Sequence, residues 1–167
     1  MSTTLNTKTA IPDGIDGRVL LRIVEEGYGP GAWHGADFKA SLQDVGTELA
    51  FWRPTPARHN IAEIALHHAY CIRSVRTQLS GLKPEPFIVA GEDWFPLHDD
   101  SALSWKTIRG VLDGEQQRFR SDVTEIAAAR MKPSLAERER FEIVLGITCH
   151  AIYHAGQIQL IKRLRGE

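Results

Sequence analysis

The residues best suited to chemistry lie towards the C-terminal end of the chain, where His150 and His154 are spaced four residues apart. In a helix this spacing places two imidazoles on one face about one turn apart, so both can bind the same cation. Apolar Ile147 and Ile161 flank the pair in the same stripe, and Gln157 continues its polar part. Buried polar groups need partners. The pattern therefore indicates either a metal site or core histidines paired with hydroxyl or backbone groups.

Two further histidines, His67 and His68, offer a third ligand from another helical segment. Metal sites in helical bundles take their ligands from facing helices. Helical periodicity places His68 in an apolar seam with Ile72, whereas His67 lies at the edge of that seam beside Ile64 and Cys71. The residues alone leave the choice between the two histidines open.

The elements that carry these histidines are predicted to be helices, and the class is all-α. Apolar residues recur at helical spacing between breaks rich in Pro and Gly. A capping-box spacing from Ser134 to Glu137 predicts the start of the last helix. The predicted long helices cover about residues 16–26, 60–80, 101–128 and 134–165, with a shorter helix near 37–45. The segments 46–58 and 82–98 are predicted to be irregular, and so long a loop as 82–98 is often functional.

Composition bounds the class of protein further. The chain has 167 residues, and 20 Lys and Arg against 21 Asp and Glu give a net charge of −1. We expect a flexible tail over residues 1–13 and a single domain over 14–167. Without a basic block, binding to nucleic acid or to a membrane surface is not expected. No secretory signal and no membrane span are recognised, so a cytoplasmic location is predicted.

Five pieces of the sequence are similar to a known family. They are AWHGADF at 32–38, HNIAEIALHHAY at 59–70, LSG at 79–81, DWF at 93–95 and GITCHAIYHAGQIQLIKRL at 146–164. The chain resembles the DinB-like superfamily, also called YfiT-like, of small proteins with a three-histidine metal centre. The H-x-x-Y-H-x-G-Q-I element of the last piece is the most specific of the five.

The resemblance implies a four-helix bundle with a long crossover connection, which residues 28–59 are long enough to form. It implies His67, rather than His68, as the ligand that joins His150 and His154. Relatives in this family often form homodimers, so a homodimer is expected here.

The implied cofactor is a divalent transition metal, with Zn²⁺ or Ni²⁺ favoured and Fe²⁺ or Mn²⁺ compatible with three imidazoles. Position 151 is Ala, so the Glu of a zincin protease motif is missing and a metalloprotease is excluded. The family implies a metal-dependent transferase that acts on a small-molecule substrate with a low-molecular-weight thiol such as bacillithiol or mycothiol. The alternatives are a hydrolase with a metal-bound hydroxide and a non-catalytic metal-binding protein of the stress response.

Five other residues are candidates for the surroundings of the site. Glu63 precedes His67 by one turn, so it is predicted either to orient that ring or act as a base, or to be a solvated helix residue. Gln157 is a candidate to hydrogen-bond a ligand, and Tyr153 is expected to pack elsewhere. His34 and Trp94 are candidates for the mouth of a pocket, against the alternatives of an exposed loop histidine and an anchoring tryptophan.

Overall fold

The structure is a computed structural model that describes residues 17–29, 31–83 and 86–166, and these ranges contain helices and no strands. The all-α class is thereby confirmed. The helices are α1 (Gly17–Gly27), α2 (Phe38–Ser41), α3 (Thr47–Phe51), α4 (Ile61–Ser80), α5 (Trp105–Ala127) and α6 (Glu137–Arg165). The predicted tail at 1–13 lies outside the described residues. No helix in the described ranges is long and apolar enough to cross a membrane.

The four longer helices surround one core. Helix α4 packs against α5 and α6, and α1 packs against the same two helices from the opposite side. The connection from α1 to α4 carries the two short helices, of which α2 packs on α6 and α3 on α4. Side chains from all parts of this arrangement are fully or almost fully buried, among them Phe38, Ile72, Leu112, Phe119 and Ile158.

Helix α4 has the boundaries that the sequence predicts. The Asn60 side chain accepts a hydrogen bond of 2.8 Å from the backbone N–H of Glu63, which satisfies a free donor at the helix start. Gly81 ends the helix with a φ of 69°, a left-handed conformation that glycine adopts without strain. The segment 46–58, predicted to be irregular, contains the one-turn helix α3.

Helix α6 begins later than predicted, and the predicted Ser134 cap is wrong. The Ser134 hydroxyl instead donates to the backbone carbonyl of Gln78, and the Ser134 N–H donates to that of Leu79 at 2.9 Å. These bonds tie the connection before α6 to the end of α4. The helix starts at Glu137, where the Glu139 carboxylate accepts from the Ala136 N–H at 3.0 Å.

Helix α5 also begins later than the sequence suggests, at Trp105. Its start is set by Ser104, whose hydroxyl accepts a hydrogen bond of 3.2 Å from the Thr107 N–H. The irregular segment before it therefore extends beyond the predicted end of the loop at residue 98.

Candidate metal centre

Three histidines from α4 and α6 converge at one point. The Nε2 atom of His150 lies 3.1 Å from Nε2 of His67 and 2.9 Å from Nε2 of His154. One ligand atom from each residue fits within 4.8 Å of the other two. His67 and His154 are buried and His150 is half-buried. The two helices thus bring together the three residues that the sequence resemblance singles out.

Each of these rings has its Nδ1 atom engaged by a different partner. His67 Nδ1 donates to the backbone carbonyl of Asp93 at 2.9 Å and lies 3.1 Å from the Asp93 carboxylate. His154 Nδ1 donates to the side-chain oxygen of Gln157 at 2.6 Å. His150 Nδ1 lies 3.0 Å from Nδ1 of the neighbouring His68. Partners on Nδ1 fix the tautomer and the ring orientation, so the Nε2 lone pairs point to the common centre.

Burial keeps the rings of His68, His150 and His154 neutral. Burial, reinforced by the nearby His67, lowers the pKa of His150 to about 4. Burial likewise lowers the pKa of His154 to about 4, against a smaller opposing effect of Gln157. The pKa of His68 is also well below its ordinary value because the ring is fully buried. Neutral imidazole is the form that binds a metal.

The spacing of the nitrogens matches the needs of a transition metal. Such ions bind histidine nitrogen at about 2.0–2.1 Å, so neighbouring ligands lie about 3.0 Å apart at right angles and about 3.4 Å apart in a tetrahedron. The observed 2.9 and 3.1 Å agree with the first of these values. Three lone pairs directed at one point repel one another, and a bound cation turns that repulsion into attraction. The residues present therefore fit a divalent metal.

A second, overlapping group consists of His67, Cys71 and Asp93, whose ligand atoms also lie within 4.8 Å of one another. The Cys71 sulfur lies 3.7 Å from His67 Nε2. Burial raises the pKa of the Cys71 thiol to about 12, which disfavours the thiolate that would bind a metal. The three-histidine group is therefore the better metal site.

Trp94 covers this centre from the loop between α4 and α5. Its ring stacks on His67 with 3.9 Å between the centroids and 4° between the planes. On its other side it stacks on His59 at 3.7 Å. The Trp94 ring also makes an edge-to-face contact with the His154 ring, with 6.1 Å between the centroids. Trp94 therefore holds the His67 ring between itself and the helix.

An open cleft of about 570 Å³ lies beside the histidines. His154 and Gln157 contribute polar atoms to it, and Trp94 forms part of its wall. Most of the remaining lining is apolar and includes Ile64, Tyr153, Leu160, Ile161 and Leu164. Clefts with apolar walls and a few polar groups are typical binding sites for small molecules.

Glu63 is placed away from the histidine centre, in a buried ion pair. Its carboxylate accepts two hydrogen bonds from the Arg53 guanidinium, and the one from Nη1 is 2.9 Å long. It accepts a third, of 2.8 Å, from the backbone N–H of Leu97. His59 Nδ1 lies 3.0 Å from the same carboxylate. Burial raises the pKa of Glu63, but these hydrogen bonds outweigh it and hold the pKa below its ordinary value. The group is therefore a charged anchor that fastens the Leu97 segment to α4.

The other predicted residues divide into two groups. Gln157 and Trp94 lie at the centre, as described above. Tyr153, expected to pack elsewhere, lines the cleft and accepts a hydrogen bond of 3.0 Å from Gln157 Nε2. His34 lies apart: its Nε2 donates to the backbone carbonyl of Glu26 at 2.8 Å, and it does not line the cleft.

Sequence reasoning missed two residues of the site, Asp93 and His59. Asp93 belongs to the DWF piece, and its backbone φ of 64° is unusual for a residue other than glycine. The signal for His59 was its spacing of four from Glu63: His59 lies just before the start of α4, and its Nδ1 comes within 3.0 Å of the Glu63 carboxylate.

A comparison with known protein families agrees with this geometry. The family model of the DinB superfamily matches residues 32–158, a range that holds all three converging histidines. The chain therefore belongs to the DinB superfamily. No curated protein and no solved structure matches it.

Proposed function

We propose that His67, His150 and His154 bind one divalent transition metal and that the protein is a metal-dependent, thiol-using transferase. The observation that carries this proposal is the convergence of three imidazoles at the edge of an open cleft, with His150 Nε2 at 3.1 Å from His67 Nε2 and at 2.9 Å from His154 Nε2. Three neutral ligands leave coordination positions and the full charge of the ion available to other molecules, which is typical of a catalytic metal.

The donor set favours Zn²⁺ or Ni²⁺, and it also suits Fe²⁺ or Mn²⁺. When bound, such an ion supplies Lewis acidity, which lowers the pKa of a thiol or a water molecule that reaches it.

The protein's own side chains prepare the centre for this role. Asp93 and Gln157 accept the Nδ1 protons of His67 and His154 and so keep both Nε2 atoms free of protons. When His150 is in the same state, its Nδ1 donates to His68. Rings held in this way need little reorganisation when substrate binds.

The cleft supports an apolar electrophile as the second substrate. Its apolar walls stabilise a hydrophobic group by removing it from water. In the transfer reaction the thiol gives up its proton to solvent and its sulfur forms a bond to an electrophilic carbon. The leaving group departs with its electron pair, so no oxidant or reductant is needed.

A hydrolase that uses activated water is the second candidate, and the position of Asp93 favours it. The Asp93 side chain is 64% exposed and its carboxylate adjoins His67, so it is accessible to accept a proton from water. Substitution Asp93→Asn keeps the backbone carbonyl that orients His67 and removes only this base.

The test is turnover by untagged protein loaded with each of the four metals. A chloro-dinitro-arene is supplied with a series of low-molecular-weight thiols, bacillithiol and mycothiol included, and simple esters and amides are supplied without thiol. The transferase proposal predicts thiol-dependent loss of chloride, abolished by His154→Ala and retained by His34→Ala, a control histidine outside the centre. Ester or amide hydrolysis that Asp93→Asn abolishes, with no thiol transfer, would establish the hydrolase instead. Inactivity in both assays with bound metal would contradict both.

A further inference from the structure

A second pocket, of about 330 Å³, lies between α4 and α5 and shares no residue with the histidine centre. We call it the arginine pocket. Four cationic side chains line it, together with one carboxylate: Arg73, Arg76, Lys83, Arg118 and Asp122. The lining therefore carries a clear excess of positive charge.

The three arginines share one buried carboxylate behind the pocket. Glu115, which is 1% exposed, accepts from Arg118 at 2.7 Å, from Arg76 at 2.9 Å and from Arg73 at 3.2 Å. Asp122 accepts from Arg76 Nε at 2.8 Å. Two carboxylates thus face three guanidinium groups and Lys83, so neutralisation is incomplete.

Arg73 has a donor that the described residues leave without an acceptor. Its Nη2 atom is buried and makes no hydrogen bond within these ranges, while its Nη1 reaches Glu115 only at the long distance of 3.2 Å. A buried guanidinium N–H without an acceptor is costly, and native proteins almost always supply one. The described residues thus give the guanidinium groups around this pocket fewer acceptors than they have donors.

The geometry points to a binding site for a small oxyanion of the phosphate type. A planar guanidinium presents paired donors that match the oxygens of such an anion, and several arginines around one pocket are typical of phosphate recognition. The oxygens would accept from the guanidinium of Arg118, whose side chain is 52% exposed, and would pair with the positive charge of Lys83. Binding of the oxyanion in this pocket requires no metal and no reaction at the histidine centre, so the inference is independent of the proposed function.

The experiment is calorimetric titration of the full-length, untagged protein with inorganic phosphate at constant ionic strength. The expected result is saturable binding that Lys83→Gln and Arg118→Gln each weaken about tenfold, the equivalent of one charge-assisted hydrogen bond. Among the described residues, Glu115 pairs with Arg73, Arg76 and Arg118 and not with Lys83, so the Lys83 variant tests the pocket without disturbing the buried ion pairs.

Two controls separate this site from other causes. Arg120→Gln removes an exposed cation of α5 that pairs with Glu25 outside the pocket, and it should leave phosphate binding unchanged. His150→Ala should also leave phosphate binding unchanged. Loss of binding in that variant would show that the phosphate binds to a metal at the histidine centre and not in the arginine pocket. A parallel titration with glycerol phosphate distinguishes a phosphate ester from the free anion. Absence of saturable binding of both, or equal weakening by Arg120→Gln, would overturn the inference.

Discussion

The ring of Trp94 lies flat on the ring of His67, with 3.9 Å between the centroids and 4° between the planes. The two residues are far apart in sequence, and the contact depends on the anchoring of the loop to α4. Glu63 accepts from the Leu97 N–H at 2.8 Å and Asn60 donates to the Leu97 carbonyl at 2.7 Å. The same helix therefore carries His67, a proposed metal ligand, and fixes the segment that covers it.

Trp94 should report metal binding by fluorescence. Cu²⁺ quenches indole fluorescence at short range, so one equivalent bound at the histidines should quench Trp94 more than the distant tryptophans. We expect the quenching to be largely lost in Trp94→Phe and retained in Trp33→Phe, since the Trp94 ring is the one that stacks on His67. Equal quenching in both variants would place the bound ion elsewhere.

Gln157 should control metal affinity through His154. Substitution Gln157→Leu removes the acceptor that holds the Nδ1 proton of His154, so we expect metal affinity to fall about ten- to a hundredfold. The matched control is Gln159→Leu, two residues further along α6. Affinities are measured by competition with a chromophoric chelator. A Gln157→Leu protein that binds metal as tightly as the Gln159→Leu protein would refute this role.

Glu63 should govern stability at acid pH rather than catalysis. Its pKa in the folded protein is below the ordinary 4.5, so the unfolded state binds the proton more readily. The stabilisation is therefore complete above about pH 4.5 and is lost as the pH falls through the lower folded pKa.

Removing that carboxylate charge tests the assignment. We expect Glu63→Gln to lower the free energy of unfolding by about 2 kcal/mol at pH 7, the scale of a hydrogen bond to a charged group. Its stability should also depend less on pH below about 4.5 than that of the wild type, as measured by urea unfolding. Unchanged stability at pH 7 with lost turnover would show that Glu63 is a catalytic base after all.

The sequence predicts the presence of the long helices because they have strong periodicity, but it places the ends of α4 better than the starts of α5 and α6. Asn60 and Gly81, for instance, mark both ends of α4 with residues that cap helices for known reasons. The short helix α3 escapes notice because a single turn has no periodicity to detect.

The choice between His67 and His68 shows where periodicity fails. Residues 61–69 are all buried, so no contrast between an inner and an outer face exists to rank the two histidines. The family resemblance, not the apolar seam, points to His67. The contact of Asp93 with His67 was missed for another reason: loop contacts depend on tertiary packing, which leaves no regular pattern in the sequence.

The metal content of the untagged protein tests the central claim most directly. Elemental analysis compares the wild type with His67→Ala, His68→Ala and His150→Ala, after reconstitution and with circular dichroism to show that each variant is folded. We expect about one transition metal per chain in the wild type and in His68→Ala, and its loss from His67→Ala and His150→Ala. A wild-type protein that takes up no metal, or folded His67→Ala and His150→Ala variants that retain it, would contradict the account.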